Sequence, residues 1–572
     1  MIFSDFLIGI IEDNAGLFSL PQLITGLSGC SEQLGYPAGV CQNLFADNQP
    51  FTYIPIYVLI KVLHPVIAFN ISVTVIALLN YFTAVCFFRR LFSKFIARSL
   101  SVILLFSPYL SYQARSHLDL AQVWVVILFL NALLFYHKKY RGPVLGLLAT
   151  LMLGVSNYLA YFTLLLTAIY LGGLAVYKMV GKSSHPDILF PIKQTVLAVI
   201  VFTLTSFWFI VPYVKANFFT PRVRPETNKD TKSVNRPIED FITFSARPWY
   251  FFLPSVDNPF FGQATKTTLA KLSSTGNYLT QNYFKPEHPA LYLGLVNIAL
   301  GVAGLAGISK KKTSQQLAKH KLVALAAANL VLMILTLPPV VELWGMKLHM
   351  PSYLLFLVFP MFRVLARAGA LILFLNLIFV GYGYEKLQDW LASKNIAPSY
   401  AKASILLLVL ISLAEFFIPL KLAYVGKAPQ VYNYIASLPA STPIVVYPYS
   451  KTTEALFWLQ YYKKPLINPR YYANKETDFN SEAFTKTLNT SEGLEKAQAL
   501  GAVYLVYFPN ADFAEALDFY TTSNLLRVQK DFRPAEAPNF SLPRYDPFVK
   551  VFLKVIDTSD PWENSALLYK FR

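Results

Sequence analysis

The sequence predicts a polytopic α-helical membrane protein with a small α/β domain at its C-terminal end. Three observations carry that prediction. The chain of 572 residues is 55% hydrophobic and only 14% charged, where an ordinary soluble protein carries roughly a quarter charged residues. Apolar segments of spanning length run from about residue 67 to about 421, and the short loops between them alternate sharply in charge. From about residue 425 the composition becomes that of a globular domain.

About ten spans are predicted, near 67–88, 100–113, 120–136, 143–156, 159–177, 194–214, 289–308, 321–338, 363–384 and 403–421. The apolar run Pro143–Tyr177 is too long for one helix in a hydrocarbon layer roughly 30 Å thick, so it must turn back once. Ser156-Asn157 is the natural turning point. Charge orients the spans. One loop carries Arg89, Arg90, Lys94 and Arg98, the next Lys138, Lys139 and Arg141, and a third Lys178, Lys182 and Lys193. Lys310, Lys311, Lys312, Lys319 and Lys321 follow, then Lys386, Lys394 and Lys402. By the positive-inside rule these loops are cytoplasmic, and everything between them faces out. An even number of spans then leaves both termini outside. Met1–Ile11 is short and apolar and lacks a basic n-region, so it does not read as a signal peptide. It reads as an interfacial segment or the remnant of a first span, and a span upstream of Met1 would put the N-terminus inside.

Residues 1–66 form the first extracytoplasmic loop with interfacial helices, with five acidic residues against the single Lys61. Residues 67–424 are the transmembrane domain. Its outer loop 215–288 is rich in proline and aromatic residues, and prolines break the apolar stretch 339–362, which suits a re-entrant or interfacial helix. Residues 425–572 are the soluble extracytoplasmic domain. Pro429–Leu438 and Glu492–Leu500 read as helices there, and Ile444–Tyr447, Val503–Phe508, Val549–Ile556 and Ala566–Phe571 as strands. No Gly-rich phosphate loop precedes these helices, which argues against nucleotide binding.

The net charge of +18 equals the number of Lys and Arg in the five cytoplasmic loops, so topology accounts for it. No basic stripe is interleaved with aromatics on a soluble element, and nucleic acid is not an expected partner. Of the three cysteines, Cys86 lies in a span and reads as a small core residue. Cys30 and Cys41 share the first outer loop, on an oxidising side, where a disulfide or two free thiols are both open.

The candidate chemistry lies on the outer face. Asp13 follows Glu12 at the expected membrane boundary. A carboxylate there can deprotonate an acceptor or bind a divalent cation such as Mg or Mn, or simply end a helix in water. His117 and Asp119 sit in a short outer loop. In an extended segment, residues two apart point the same way and can meet one metal or one sugar. Asp119 can equally be the N-cap of the next span. Arg363 and Arg367 are spaced to share a helix face at the outer end of a span, against the charge bias of the other loops. Snorkelling explains them, and so does an anionic ligand, since the planar guanidinium bonds two phosphate oxygens at once. Arg115 could add a second clamp.

The chain resembles a bacterial branch of the GT-C superfamily, polytopic glycosyltransferases that use lipid-phosphate-linked sugars, over most of residues 10–510. The resemblance is carried by Glu12-Asp13-Asn14, Tyr36-Pro37-Ala38-Gly39-Val40, Phe106-Ser107-Pro108-Tyr109 and His117-Leu118-Asp119-Leu120. Leu253-Pro254-Ser255, Asn258-Pro259-Phe260-Phe261-Gly262, Tyr292-Leu293-Gly294 and Phe362-Arg363-Val364-Leu365-Ala366-Arg367 extend it. It implies inverting transfer at the outer membrane face, from a polyprenyl-phosphate-linked sugar donor in the lipid bilayer to an envelope glycan, lipid or protein acceptor. Asp13 would be the essential carboxylate. Arg363, Arg367 and Arg115 would stabilise the departing lipid phosphate, and His117 and Asp119 would orient a divalent cation or the sugar. The family commonly has a helix before the loop that bears the carboxylate, whereas this chain begins almost at that loop.

Two other classes remain open on the sequence. A lipid or solute transporter predicts ionisable residues in mid-span and repeated halves, and the span centres carry almost none. A non-catalytic scaffold of envelope assembly is compatible with the same pattern, because fold does not dictate chemistry.

Overall fold

The computed structural model describes residues 6–9, 28–43, 49–136, 139–181, 192–215, 236–274, 288–308, 317–343, 345–425, 428–470, 473–474, 479–511, 516–533, 553–557 and 565–572. Asp13 lies outside the described residues.

Strands β1 (Phe6–Ile8), β2 (Ser28–Ser31) and β3 (Val40–Asn43) precede the helices. Cys30 is disulfide-bonded, and the antiparallel β2–β3 ladder sets Cys41 opposite it. Helices α1 (Pro50–Ile60), α2 (Pro65–Phe88), α3 (Lys94–Leu105), α4 (Pro108–Ser116) and α5 (Trp124–Phe135) follow. Then come α6 (Arg141–Val155), α7 (Asn157–Gly181) and α8 (Ile192–Val214). Proline sits in the first turn of α1, α2 and α4, where its missing N–H costs no bond. The break between α6 and α7 falls at Ser156, the predicted turning point. Short helices α9 (Ile238–Thr243) and α10 (Gly262–Ser274) occupy the predicted outer loop, and α11 (Leu295–Ile308) and α12 (Lys319–Leu335) re-enter the bundle.

The stretch 339–362 does not form the expected re-entrant helix. Strands β4 (Val340–Leu343) and β5 (Met346–His349) make an antiparallel hairpin, followed by the seven-residue α13 (Ser352–Val358). Pro338 and Pro339 end the helix before it, Gly345 takes a left-handed φ of +78° in the turn, and Pro360 stops α13 from continuing. The long helices α14 (Gly369–Ser393) and α15 (Pro398–Phe416) complete the bundle.

Among the described residues five helices are long and apolar enough to cross a membrane, or six if the bent pair α3–α4 counts as one span. α14 is the central helix. In its span window 83% of residues are buried, against 11% in peripheral α8, which presents Leu204, Phe207 and Trp208 outward. Where helices cross closely, glycine faces a neighbouring backbone. A Cβ at Gly304 of α11 would collide with the Phe379 carbonyl of α14, and one at Gly383 with the Leu300 carbonyl. Small residues permit this approach where helix association relies on van der Waals packing. Cys86 is exposed on α2 rather than a core residue, because its position on the helix turns it away from the neighbours that bury Phe87 and Phe88.

After β6 (Leu420–Tyr424) the chain builds an α/β unit from α16 (Gln430–Ala436), β7 (Ile444–Tyr447), α17 (Thr452–Tyr462), β8 (Ala473–Asn474), β9 (Phe479–Asn480), α18 (Ser481–Thr487) and α19 (Ser491–Ala499). It ends with β10 (Tyr504–Tyr507), α20 (Leu517–Thr522), β11 (Leu526–Asp531), β12 (Leu553–Asp557) and β13 (Leu567–Phe571). Four strands form a mixed sheet in the order β11-β13-β10-β7, with β10 and β7 parallel. β1, β6 and β12 form a second sheet that ties the N-terminal segment, the end of the bundle and the C-terminal region together. One apolar core runs through this junction, from Tyr53, Ile56 and Phe69 on α1 and α2 to Val431, Ile444 and Leu456 of the α/β unit.

The helix ends that flank basic loops gather at one end of the bundle. Arg90 lies 5.5 Å from the Phe135 ring, Gln194 donates to the Lys139 carbonyl at 3.0 Å, and Lys386 donates to the Ala303 carbonyl at 3.4 Å. The described candidate residues, Arg115, His117, Asp119, Arg363 and Arg367, lie at the opposite end.

Candidate active site

The site begins with a bend. α3 stops at Leu105, and α4 starts at Pro108 with its axis turned by 42°. The Ser107 hydroxyl accepts from the Leu110 N–H at 3.4 Å and caps α4. α4 ends where His117 leaves the helical region at φ −138°, while its N–H still bonds the Gln113 carbonyl at 2.8 Å. A turn closed by the Leu120 N–H on the His117 carbonyl, at 3.0 Å, then leads to α5.

That turn carries Asp119 into the interior, where it is 5% exposed. Its carboxylate accepts from the Ser156 hydroxyl at 2.9 Å, so the residue that separates α6 from α7 also holds the acid. Asp119 is not a helix cap: α5 starts at Trp124 behind Val123 and has no side-chain cap. Burial pushes the Asp119 carboxyl above its usual range, and Arg367 and the Ser156 bond oppose this. Burial likewise drives the His117 imidazole down to about 3, helped by the charge of Arg367, so His117 is neutral at physiological pH.

Arg363 and Arg367 do not share a helix face. Residues 365–368 form a single 3₁₀ turn ahead of α14, and Arg363 lies before it, outside any helix. Arg363 pairs with Asp240 of α9 at 2.5 Å and lies 4.9 Å from the Phe244 ring. The Arg367 guanidinium turns inward. It lies 4.4 Å from the Tyr158 ring, and its charge acts on Tyr109, His117 and Asp119. Among the described residues it makes no hydrogen bond or ion pair. Tyr158 in turn meets Phe362 edge-on, and Phe362 stacks on Tyr161 with ring centroids 4.2 Å apart.

Arg115 has a different set of partners. It is buried, donates to the Pro419 carbonyl at 2.5 Å and lies 3.9 Å from Asp257. Gly9, with φ +105°, packs so tightly on α4 that a Cβ there would stand 2.6 Å from the Arg115 carbonyl oxygen. β1 thus delivers the chain to α4 four residues before Asp13. An apolar cavity of about 640 Å³ lies beside Arg115, lined by Val73, Ile76, Leu110, Leu413 and Phe417.

Several motif residues are structural. Asn258 donates to the Ala414 and Glu415 carbonyls at the end of α15, at 2.8 and 3.0 Å, satisfying groups the helix leaves open. Gly294 takes φ +81° where a Cβ would meet Asn297, Phe416 and Glu415. The residues that sequence reasoning missed are Tyr109, Gln113, Tyr158 and Asp240. Only Tyr109 carried a signal, its place in the Ser107-Pro108 motif.

Among the described residues no three His, Cys, Asp or Glu side chains converge on a point where a metal could be held. Among the described residues Asp119 and His117 supply only two of the ligands a divalent cation takes, and no step is assigned to one.

No family model matches the chain, and no curated protein matches it in sequence. Solved structures do. Arabinofuranosyltransferase AftD from Mycobacteria aligns with 99% of this chain at 12% identity and a TM-score of 0.53. The chain has a GT-C-like fold. It spans 38% of the length of the AftD chain. The archaeal oligosaccharyltransferase AglB from Archaeoglobus fulgidus, solved with an inhibitory peptide and a dolichol-phosphate, aligns with 88% of this chain and 66% of its own at 11% identity (TM-score 0.45). ArnT from Cupriavidus metallidurans, bound to undecaprenyl phosphate, aligns over 99% of this chain and 94% of its own at 11% identity (TM-score 0.39). A GT-C-like fold and apolar helices of spanning length make this a membrane protein.

Proposed function

We propose that the protein transfers a sugar from a polyprenyl-phosphate-linked donor to an acceptor hydroxyl at the outer membrane face. The observation that carries this reading is Arg367, a half-buried cation with no hydrogen bond or ion pair among the described residues, held over Tyr158 beside neutral His117. A fixed cation in a water-poor site favours an anion that forms there, and the leaving lipid phosphate is that anion. The acceptor oxygen attacks the anomeric carbon, the bond from that carbon to the phosphate oxygen breaks, and the configuration inverts. The acceptor proton passes to the Asp13 carboxylate, and Arg367 balances the charge on the departing polyprenyl phosphate. The apolar cavity beside Arg115 suits a stretch of the prenyl chain. Gathering of the basic loops at the other end supports an extracytoplasmic site and α/β unit.

The test replaces Asp13 by Asn in the full chain, reconstituted in liposomes, and follows transfer from undecaprenyl-phosphate sugars. Loss of transfer with retained binding of undecaprenyl phosphate is expected. Transfer at the native rate by Asp13→Asn removes Asp13 as the base, and no transfer by the native protein from any donor leaves a scaffold.

A further inference from the structure

We infer that the side of α4 bearing Tyr109 and Gln113, with His117 at its C-terminal end, receives the sugar of the lipid-linked donor, an assignment that rests on the transfer reading above. Tyr109 and Gln113 are four residues apart and so lie on one side of α4, and His117 follows at its C-terminal end. The Tyr109 hydroxyl, the Gln113 side-chain oxygen and His117 Nδ1 are all buried, and none has a hydrogen-bond partner among the described residues. Buried polar groups are almost always paired, so three orphans in succession along α4 and its C-terminal end mark a place where a polar ligand completes the bonding. The stripe runs alongside Arg367, whose charge acts on both Tyr109 and His117.

The chemistry of the stripe selects the ligand. It offers a phenol, a carboxamide and an uncharged imidazole, each able to bond a hydroxyl. None is a cation, so the stripe complements Arg367 rather than duplicating it. Arg367 takes the phosphate and the stripe takes the ring hydroxyls. Arg115, by contrast, is engaged by protein, donating to the Pro419 carbonyl and lying 3.9 Å from Asp257.

Tyr109→Phe and Gln113→Leu delete the polar atoms with little change of shape. Melting of the full chain in detergent is followed with no lipid, with undecaprenyl phosphate, and with undecaprenyl phosphate bearing glucose, mannose, arabinose or aminoarabinose. Without lipid, both variants should melt at or above the native temperature, because no internal bond is lost. Both should bind bare undecaprenyl phosphate as the native protein does. Each should lose about tenfold of the preference for the best sugar-bearing lipid over the bare phosphate, the value of one hydrogen bond to a buried group. A lower melting temperature without lipid, or an unchanged sugar preference, overturns the assignment. If the native protein binds bare undecaprenyl phosphate through Arg367 and shows no sugar preference, the subsite fails and the transfer reading stands. If it binds none of the lipids, both fall.

Discussion

At the Arg363 guanidinium the nearest carboxylate is Asp240, 2.5 Å away, while Arg367, four residues on, bonds no carboxylate among the described residues. The two arginines should therefore respond differently to substitution. Arg367→Gln is expected to lower transfer by about a hundredfold or more, as loss of a preorganised charge-stabilising donor does. Arg363→Gln should cost only a few-fold, and Asp240→Asn should reproduce it, since either change breaks the same partly exposed pair. Initial rates in proteoliposomes decide, and equal losses at 363 and 367 would refute the division of labour. His117 gives a pH signature. Its imidazole is held down to about 3 from 6.5, so between those values the unfolded chain takes up a proton that the folded one does not. Stability is then lost as pH falls from about 6.5 and regained as it rises. Asp119, raised by burial, acts with the opposite sign. Melting of native protein should drop further between pH 7 and pH 4.5 than that of His117→Gln, and parallel curves would show that His117 is not buried neutral. His117 and Asp119 were legible in the sequence because they interrupt apolar segments. Gln113 was not, and Tyr109 only through its place in the Ser107-Pro108 motif, since nothing in a sequence tells a packed helix residue from one whose polar atom lacks a partner.

The ten predicted spans each contain a helix, yet several are too short to cross alone, such as the twelve residues of α5. Hydropathy marks apolar length and is blind to a bend. The segment read as one span at 100–113 is broken at Ser107-Pro108, and that break aims His117 and Asp119 inward. The hairpin at 340–349 was hidden because its apolar residues match a helix as well as a strand. β11 was missed for the opposite reason, since five of its six residues are exposed and show no apolar pattern. Glycine contacts, by contrast, give elements a testable stiffness. α11 and α14 cross with Gly304 against the Phe379 carbonyl and Gly383 against the Leu300 carbonyl, so no side chain separates the backbones. α14 begins directly after the turn that holds Arg367. Gly304→Leu should force the helices apart, destabilise the fold by about 1–3 kcal/mol or more, and lower the melting temperature in detergent. An unchanged melting temperature would show that the crossing is loose.

Composition changes sharply near residue 425, and a reader of the sequence naturally cuts the molecule there. The packing does not follow that cut. β6, at the end of the bundle, lies between β1 from the start of the chain and β12 from near its end. Tyr53, Ile56, Ile60 and Phe69 of the first two helices share a core with Val431, Ile435 and Leu456 of the α/β unit. Composition reports the solvent each segment meets, lipid or water, and not which segments bury one another, so this junction was invisible in the sequence. It bears on the site because β1 packs through Gly9 against the Arg115 carbonyl, and the chain continues from there to Asp13. The α/β unit should therefore be part of the fold of the bundle. A chain ending at residue 425 loses β12 and the partners of Tyr53 and Ile56, and leaves an apolar patch of the kind that drives association. It is expected to elute as aggregate in detergent and to lose binding of undecaprenyl phosphate even though Arg367, His117 and Asp119 are all present. A monodisperse 1–425 chain that melts and binds the lipid like the full protein would show that the shared core contributes nothing to the site.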